Sequence, residues 1–216
     1  MLAGTKGAQL RIAVLGASGR TGRLVIAEAK SRGHEVTALA RNPEPLQGEG
    51  VEVITGDIRD GRALGEVIDG AGVVISAVGA RGRDRELHTV LAQNTILVMT
   101  DKRVSRFVGI SVGGLNVPGD RKGARDKLIG ALARTLAGAA TADRRRELEA
   151  WQASNLDWTL IRVPRLVDGD SATPAAISAH TPPRAITLHR TSLSRLLVEI
   201  ATTDTFVGSA PFAADA

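Results

Sequence analysis

A strand that runs directly into a glycine-rich turn constrains this chain more than any other feature of its sequence. Residues 12–15 are all apolar, and Gly16, Gly19 and Gly22 follow them in a G-x-x-G-x-x-G pattern. A continuous apolar run is typical of a strand that helices cover on both faces. After the helix that the turn opens, a second strand is predicted at residues 34–40. The spacing therefore predicts the first half of a parallel α/β unit.

The three glycines have separate physical roles in such a turn. Gly16 permits the tight turn, Gly19 lets a phosphate approach the backbone, and Gly22 lets the helix lie close to the strand. The free N–H groups at the start of the helix would hold an anion. The pattern predicts a dinucleotide-binding turn, and a turn with a purely structural role is the alternative.

Strand and helix patterns alternate along the rest of the chain. Further strands are predicted at 51–55, 72–76, 106–110, 158–163, 185–188 and near Phe206, and further helices at 60–69, 85–101, within 119–155 (127–136 and 143–154) and at 192–202. This alternation predicts an α/β fold of the Rossmann type, a doubly wound parallel sheet. At 216 residues, we expect a single domain, 1–216, in which residues 1–9 form a loose tail and about 165–190 a small C-terminal lid.

The composition excludes several kinds of chemistry. The chain has no cysteine, and its four histidines lack the spacing of metal ligands, so we predict no disulfide, no thiolate nucleophile and no metal. No leader pattern or membrane-length apolar run is present, which predicts a cytoplasmic protein without a membrane partner.

The net positive charge of the chain is explained by solvated surface residues. The formal net charge is +5, yet aromatic residues are 2% of the chain and no basic stripe alternates with stacking platforms. The clusters 81–85 and 144–146 are mixed with acidic residues, which favours solvated surfaces over a nucleic-acid patch. We expect no nucleic-acid partner, and a monomer or homodimer.

The ends of the predicted strands carry the candidate cofactor contacts. Arg41 follows the second strand where an NAD site would place an acid, and its planar guanidinium suits the 2′-phosphate of NADP(H). A surface arginine is the alternative. Asp57, after the third strand, would accept from an adenine amino group or cap the next turn. Small residues after the fourth strand, through Gly79, would let the cofactor pass close to the backbone.

The candidate catalytic residue lies at the end of the fifth strand. Ligands of open α/β sheets bind outside the carboxyl ends of the strands, which places Ser111 beside the chemistry. Gly113 and Gly114 beyond it would give the loop freedom. A serine in that position is also a common turn residue, and that alternative stays open.

With these motifs, the chain resembles the atypical short-chain dehydrogenase/reductases of the NAD(P)H-binding, NmrA-like group, and within it the flavin reductases of the biliverdin reductase B type. The resemblance extends over nearly the whole chain. It rests on residues 16–22, 40–43, 56–57, Ser111 and 154–164.

The resemblance implies a role for each matching position. The pyrophosphate would contact Gly16, Ser18, Gly19, Arg20 and Thr21, and Gly22 would complete the cofactor-binding turn. The 2′-phosphate would contact Arg41, the adenine Asp57, the ribose Ser76, Ala77, Val78 and Gly79, and the nicotinamide Ser111 and Pro164. Arg165 stands where flavin/biliverdin-type reductases have a histidine. The chain has no tyrosine, so the Tyr-x-x-x-Lys mechanism of ordinary short-chain dehydrogenases is excluded.

These observations predict an NADPH-dependent oxidoreductase that passes hydride to a flavin, a quinone or a similar planar acceptor. Such acceptors take up a proton readily, so positioning would supply most of the acceleration. Ser111 would orient the carboxamide or the acceptor, and Arg165 would attract an anionic one. A non-catalytic NADP(H)-binding redox sensor is the main alternative, and an RNA-binding or assembly role rests on the basic pI alone.

Overall fold

The computed structural model describes residues 9–79, 84–123, 138–171 and 173–216, with the side chains of 138–140 left aside. Within these ranges the chain forms ten strands and five α-helices. The strands are β1 (Arg11–Leu15), β2 (Glu35–Ala40), β3 (Glu52–Thr55), β4 (Val73–Ser76), β5 (Arg106–Val112), β6 (Asp157–Val163), β7 (Arg165–Val167), β8 (Ala175–Ser178), β9 (Thr187–His189) and β10 (Phe212–Asp215). The helices are α1 (Arg20–Ser31), α2 (Gly61–Ile68), α3 (Leu87–Asp101), α4 (Gly138–Ala153) and α5 (Arg190–Ala201).

Eight of the strands form one sheet in the order β3-β2-β1-β4-β5-β6-β10-β8. All neighbouring pairs are parallel except β10 and β8, which are antiparallel. The strand order reverses between β1 and β4, so the carboxyl ends of these strands border a crevice. The predicted α/β doubly wound sheet is confirmed, and β7 and β9 pair in a small second sheet.

Both faces of the sheet are buried, which explains the unbroken apolar run of β1. Ile12 and Val14 face a core that α1 and α5 complete, whereas Ala13 and Leu15 face a second core under α2, α3 and α4. All four side chains are fully buried. A strand with helices on both faces has no side from which a polar residue can reach water.

The N-terminus of α3 depends on a residue from another helix. Glu86 precedes α3 without a side-chain cap, and Asp143 of α4 accepts the hydrogen bonds instead. Its carboxylate lies 2.9 Å from the His88 amide nitrogen and 3.0 Å from that of Thr89. Unpaired N–H groups at a helix start need such an acceptor, so Asp143 fixes α4 against α3.

The structure corrects several sequence predictions in detail. No strand forms near Phe206, which has a φ of 58° within a turn, and the last strand instead begins at Phe212. Residues 119–123 are not helical. The cluster 144–146 is not a solvated surface throughout, since Arg144 is buried together with Asp143 and Glu147. These acids accept hydrogen bonds inside the protein, which a linear charge pattern does not reveal.

Several predicted features concern residues that the structure does not describe. The predicted helix at 127–136, the segment 81–83 with its two arginines, and nearly all of the tail lie outside the described residues.

Asn94 donates a hydrogen bond to the carbonyl oxygen of Ile58 at 3.0 Å, as expected of a structural residue. No helix in the described ranges is long and apolar enough to span a membrane.

Candidate active site

The glycine-rich turn between β1 and α1 has the geometry that the sequence predicted. Gly16 has a φ of +73°, and a Cβ atom there would lie 2.9 Å from the backbone nitrogen of Val78. A Cβ on Gly22 would overlap the carbonyl oxygens of Gly16 and Ala17. Gly16 and Gly22 therefore allow the turn, the end of β4 and α1 to pack together.

Gly19 differs from the other two glycines because space lies beside it. Its φ is −74°, and a Cβ there would meet one backbone atom, the Gly16 carbonyl oxygen at 3.2 Å. No side chain caps α1, and no acid lies in its first turn. The first-turn N–H groups of an uncapped helix suit an anion, so the turn fits a pyrophosphate.

The cleft at this turn brings together most of the predicted cofactor contacts. It is lined by Gly16, Ser18, Gly19, Arg41, Asp57, Ala77, Val78 and Gly79. Thr21, Gly22 and Ser76 are buried beneath it rather than lining it. Arg20 points to another groove, where its guanidinium lies 2.7 Å from the Asp168 carboxylate.

Charged residues surround the end of the cleft at which Arg41 and Asp57 lie. Arg41 is largely exposed, and its Nε atom lies 3.8 Å from the Asp57 carboxylate, too far for a hydrogen bond. Arg59, which the sequence reasoning missed, also lines the cleft and donates to Asp84 at 2.7 Å. Its position two residues after Asp57 was the available signal. Arg41 is thus exposed to a phosphate there, and Arg59 lies beside it with its guanidinium bonded to Asp84.

A second, mostly apolar cavity of about 410 Å³ lies beyond the carboxyl ends of β5 and β6. Its lining includes Gly113, Pro164, Arg165, Ile186 and Phe212. Pro164, predicted to contact the nicotinamide, lines this cavity and not the cleft of the glycine-rich turn. Arg165 is exposed at its edge and has no ion pair within the described ranges.

Arg162 lies at the floor of this cavity. The sequence reasoning did not single out this residue. Its guanidinium is fully buried, donates to both carboxylate oxygens of Asp120 at 2.6 and 2.8 Å, and lies 3.6 Å from the centre of the Phe212 ring. Burial raises the pKa of Asp120, but the hydrogen bonds from Arg162 and the Val117 amide, together with the charges of Arg162 and Lys122, lower it by more, so the pKa lies below its usual value. The pair fixes the loop after β5 as one wall of the cavity.

Ser111 is part of β5, and its side chain is on the helix-covered face of the strand, the same face as that of Phe107. It is buried, and its hydroxyl has no hydrogen-bond partner among the described residues. It lines neither the cleft nor the apolar cavity. Its proposed contact with the acceptor or the carboxamide stays a prediction.

A buried polar cluster joins α3 and α4 and contacts β5 at the Ile110 carbonyl oxygen; it is formed by His88, Asp143, Arg144 and Glu147. Arg144 Nη1 donates to Glu147 Oε2 and to the Ile110 carbonyl oxygen, both at 2.8 Å. Burial raises the pKa of Glu147 to about 7, against the opposing effect of Arg144. Burial also lowers the pKa of His88 to about 3, and the Arg144 charge adds to that effect. In the part of the chain that is described, no group of side chains has the make-up of a metal site.

The fold and the cleft define this protein as a dinucleotide-binding Rossmann protein. The chain belongs to the NAD(P)H-binding family, whose model matches residues 16–204.

Curated relatives match part of the chain, and solved structures share its fold. The chain is 32% identical over 105 residues to YwnB of Bacillus subtilis, a match that covers 49% of this chain and 48% of that protein. It is similar in structure to ChuY, an anaerobilin reductase of Escherichia coli O157:H7, with a TM-score of 0.79, 19% identity, and 95% and 97% of the two chains covered. A short-chain dehydrogenase/reductase of Veillonella parvula, solved with NADP, has a TM-score of 0.75 at 21% identity and covers 96% of this chain and 95% of that one.

The matches to curated relatives are partial. The chain spans about half the length of YwnB and 12% of Rv2047c of Mycobacterium tuberculosis, to which it is 36% identical over 104 residues. The solved structures are below 25% identity and establish the fold alone.

Gly19 and Gly22 should separate binding from folding. We expect Gly19→Val to fold and to lose NAD(P)H binding, because its side chain would occupy the phosphate's space. Gly22→Ala should instead destabilise the protein, since its Cβ overlaps backbone atoms. Calorimetric titration and circular dichroism check both variants. Retained binding by a folded Gly19→Val protein would contradict the assignment of this turn.

Glu147 should make stability depend on pH. The unfolded chain ionises this group near 4.5 and the folded protein near 7, so between these values the folded state binds more protons. Its stabilisation is complete below about 4.5 and is lost as the pH rises through about 7. Relative to Glu147→Gln, the wild type should therefore gain roughly 3–4 kcal/mol of unfolding free energy as the pH falls across this window.

Urea denaturation at several pH values measures this difference. Comparison with the variant isolates Glu147 from His88, whose lowered pKa acts in the opposite direction as the solution is acidified. Glu149→Gln, on the exposed side of the same helix, should follow the wild type at every pH. A difference between wild type and Glu147→Gln that does not change with pH would refute the assignment.

Proposed function

We propose that this protein is an NADPH-dependent reductase that transfers hydride to a small planar acceptor such as a flavin or a quinone. The observation that carries the proposal is the apolar cavity at the ends of β5 and β6, on the same sheet edge as the cleft at the ends of β1 and β4. Because β4 and β5 are neighbours, a dinucleotide that follows the cleft would bring its nicotinamide toward that cavity.

The preference for NADPH is supported by the charges at the far end of the cleft. Arg41 is exposed there, and Arg59 provides a second guanidinium. A 2′-phosphate carries the negative charge and the acceptor oxygens that these groups bind. The V. parvula neighbour was solved with NADP, which supports the same choice.

The acceptor class follows from the second cavity. Proline, isoleucine and phenylalanine side chains in its walls suit the flat face of a conjugated ring. The lining also includes four basic residues, Lys122, Arg162, Arg165 and Arg184. Arg165 at the edge would attract a carboxylate or phosphate on the acceptor. The similarity to ChuY, an anaerobilin reductase, supports a conjugated acceptor and adds bilins to the flavins and quinones that the sequence suggested.

In this proposal each group has a limited task. The nicotinamide, when bound, supplies the hydride. Arg165 orients an anionic acceptor, Ser111 orients the carboxamide or acceptor, and the apolar walls exclude water. No tyrosine exists to donate a proton, so hydride transfer to acceptors that stabilise an anion is favoured.

Replacement of Arg41 tests the cofactor preference. Arg41→Ala should weaken NADPH binding by about 1.5–3 kcal/mol through loss of a charge-assisted contact, with little change for NADH. Arg62→Ala, an equally exposed arginine outside the cleft, serves as the control. Calorimetric titrations with both cofactors decide the matter, and an equal loss for NADH and NADPH would count against the role of Arg41.

Replacement of Arg165 tests the acceptor site. Arg165→Ala should lower kcat/KM for flavin mononucleotide by roughly tenfold or more and leave riboflavin, which lacks the phosphate, nearly unaffected. NADPH affinity should not change. Arg195→Ala is the control, because Arg195 lines neither cavity. The readout is the decay of NADPH absorbance.

Two outcomes would overturn different parts of the proposal. Turnover that is indifferent to Arg165 would remove the role of this residue and leave the reductase intact. Tight NADPH binding without oxidation by any flavin, quinone or bilin in a broad panel would overturn the reductase and favour the redox sensor.

A further inference from the structure

The end of the cleft at which Arg41 and Asp57 lie carries two carboxylates as well as two guanidinium groups. Among the described residues that line the cleft, the charged ones are Arg41, Asp57, Arg59 and Asp84. Their formal charges cancel, although a site that attracts a phosphate gains from an excess of positive charge. The pairing of these four groups therefore decides how much positive charge a ligand meets there.

Asp57 lies between the two guanidinium groups. Its Oδ2 atom is 3.8 Å from Arg41 Nε, and its Oδ1 atom is 3.7 Å from Arg59 Nη1. Both distances are too long for a hydrogen bond. Asp57 Oδ1 instead accepts from the Arg59 backbone amide at 3.0 Å. This carboxylate thus attracts both guanidinium groups and holds neither of them by a direct bond.

Arg59 is held by a different carboxylate, that of Asp84. Arg59 Nη2 donates to Asp84 Oδ2 at 2.7 Å, and Asp84 Oδ1 accepts from the Glu86 amide at 3.1 Å. The hydrogen bonds from the Glu86 amide and from Arg59 hold the pKa of Asp84 below its usual value, so the group is charged at neutral pH. A charged pair therefore connects the chain after β3 to the chain before α3.

This ion pair is exposed enough for a ligand to replace it. The side chain of Arg59 is 46% exposed, and that of Asp84 is 35% exposed. An ion pair this accessible to water contributes little to stability, because water screens the attraction. A phosphate monoester carries more negative charge and more acceptor oxygens than a carboxylate. A phosphate bound at this end of the cleft can therefore draw the Arg59 guanidinium away from Asp84.

Arg41 differs from Arg59 in this respect. Its side chain is 74% exposed, and its ion pair within the described ranges is the long contact with Asp57. Arg41 can bind a 2′-phosphate without losing a hydrogen bond, whereas Arg59 must first lose the one to Asp84. The ribose 2′-hydroxyl of NADH carries no charge that would draw Arg59 away. The two cofactors therefore make different demands on the pair of Arg59 and Asp84.

We propose that Asp84 determines cofactor specificity, because it competes with the 2′-phosphate of NADPH for Arg59. The inference rests on the proposed use of NADPH and adds the residue that limits the preference for it. Asp84 acts through Arg59, so it is a positioning residue. The 2′-phosphate binds through Arg41 and gains Arg59 only when the ion pair breaks, whereas NADH leaves the ion pair intact. The preference for NADPH is therefore smaller than two unpaired guanidinium groups would give.

Calorimetric titrations of the cofactor-free protein test this proposal without turnover. The probes are 2′,5′-ADP and 5′-AMP, which differ only by the 2′-phosphate. Asp84→Asn should bind 2′,5′-ADP about two- to fivefold more tightly than the wild type, the change expected from loss of one exposed ion pair, and 5′-AMP with unchanged affinity. NADPH and NADH should differ in the same way. Asparagine keeps an oxygen that accepts from the Glu86 amide, so the start of α3 is preserved.

A double variant separates competition for Arg59 from a general effect of a nearby negative charge. In the Arg59→Met background, Asp84→Asn should bring no gain in affinity for 2′,5′-ADP, because the group for which Asp84 competes is absent. Asp69→Asn is the matched control and should bind both probes like the wild type. Asp69 also forms an ion pair of 2.7 Å, with Lys102, but in a groove outside the cleft. All titrations use one ionic strength, since salt screens exposed charges.

Four results would count against different parts of the inference. A folded Asp84→Asn protein without the gain for 2′,5′-ADP would overturn the role of Asp84 and leave the reductase intact, and Asp84→Ser provides a second measurement of that gain. A gain that persists in the Arg59→Met background would overturn the competition for Arg59. Absence of NADPH oxidation with every acceptor would overturn the reductase alone, because these titrations do not depend on turnover. A wild type that binds neither 2′,5′-ADP nor NADPH would overturn both.

Discussion

The buried Arg162 supports the part of the structure in which the proposed chemistry takes place. A guanidinium without water must have its charge balanced and its N–H groups paired, and Asp120 together with backbone carbonyls of the two adjoining loops satisfies both needs. The loop after β5, the last residues of β6 and the start of β10 are therefore held in one arrangement. Residues of all three segments line the apolar cavity.

A buried arginine also links segments at the opposite end of the sheet, although it bonds to no carboxylate and its Nε has no partner among the described residues. Arg106, at the start of β5, donates to carbonyl oxygens of Asp157, Ile200 and Thr205, so that α5 and the turn after it are tied to the central strands. Two buried arginines thus connect the C-terminal segments to a Rossmann core. Each arginine links these elements by directional hydrogen bonds rather than by apolar packing.

The sequence predicted the local patterns well and the contacts between distant segments poorly. The turn at residues 16–22 was readable because glycine spacing and apolar runs act over short range, and the parallel sheet is confirmed. Sequence periodicity could not predict β7, β8 or β10, which are short and depend on neighbours far along the chain. It also could not show that Arg144 and Glu147 are buried. A helix rich in acidic and basic residues has the same charge pattern whether those side chains face water or another helix. The proposed roles of Ser111, Arg165 and the cofactor contacts remain predictions.

Asp143 caps α3 from a distant part of the chain, and this affects the order of folding during synthesis. Asp143 lies more than fifty residues beyond the amide groups that it binds. During synthesis the first-turn N–H groups of α3 have only water as a partner until α4 follows. A long-range contact of this kind slows folding and leaves α3 exposed to mispairing for the time that the intervening segment takes to be translated. Completion of the central sheet and of this helix is therefore a late, joint event.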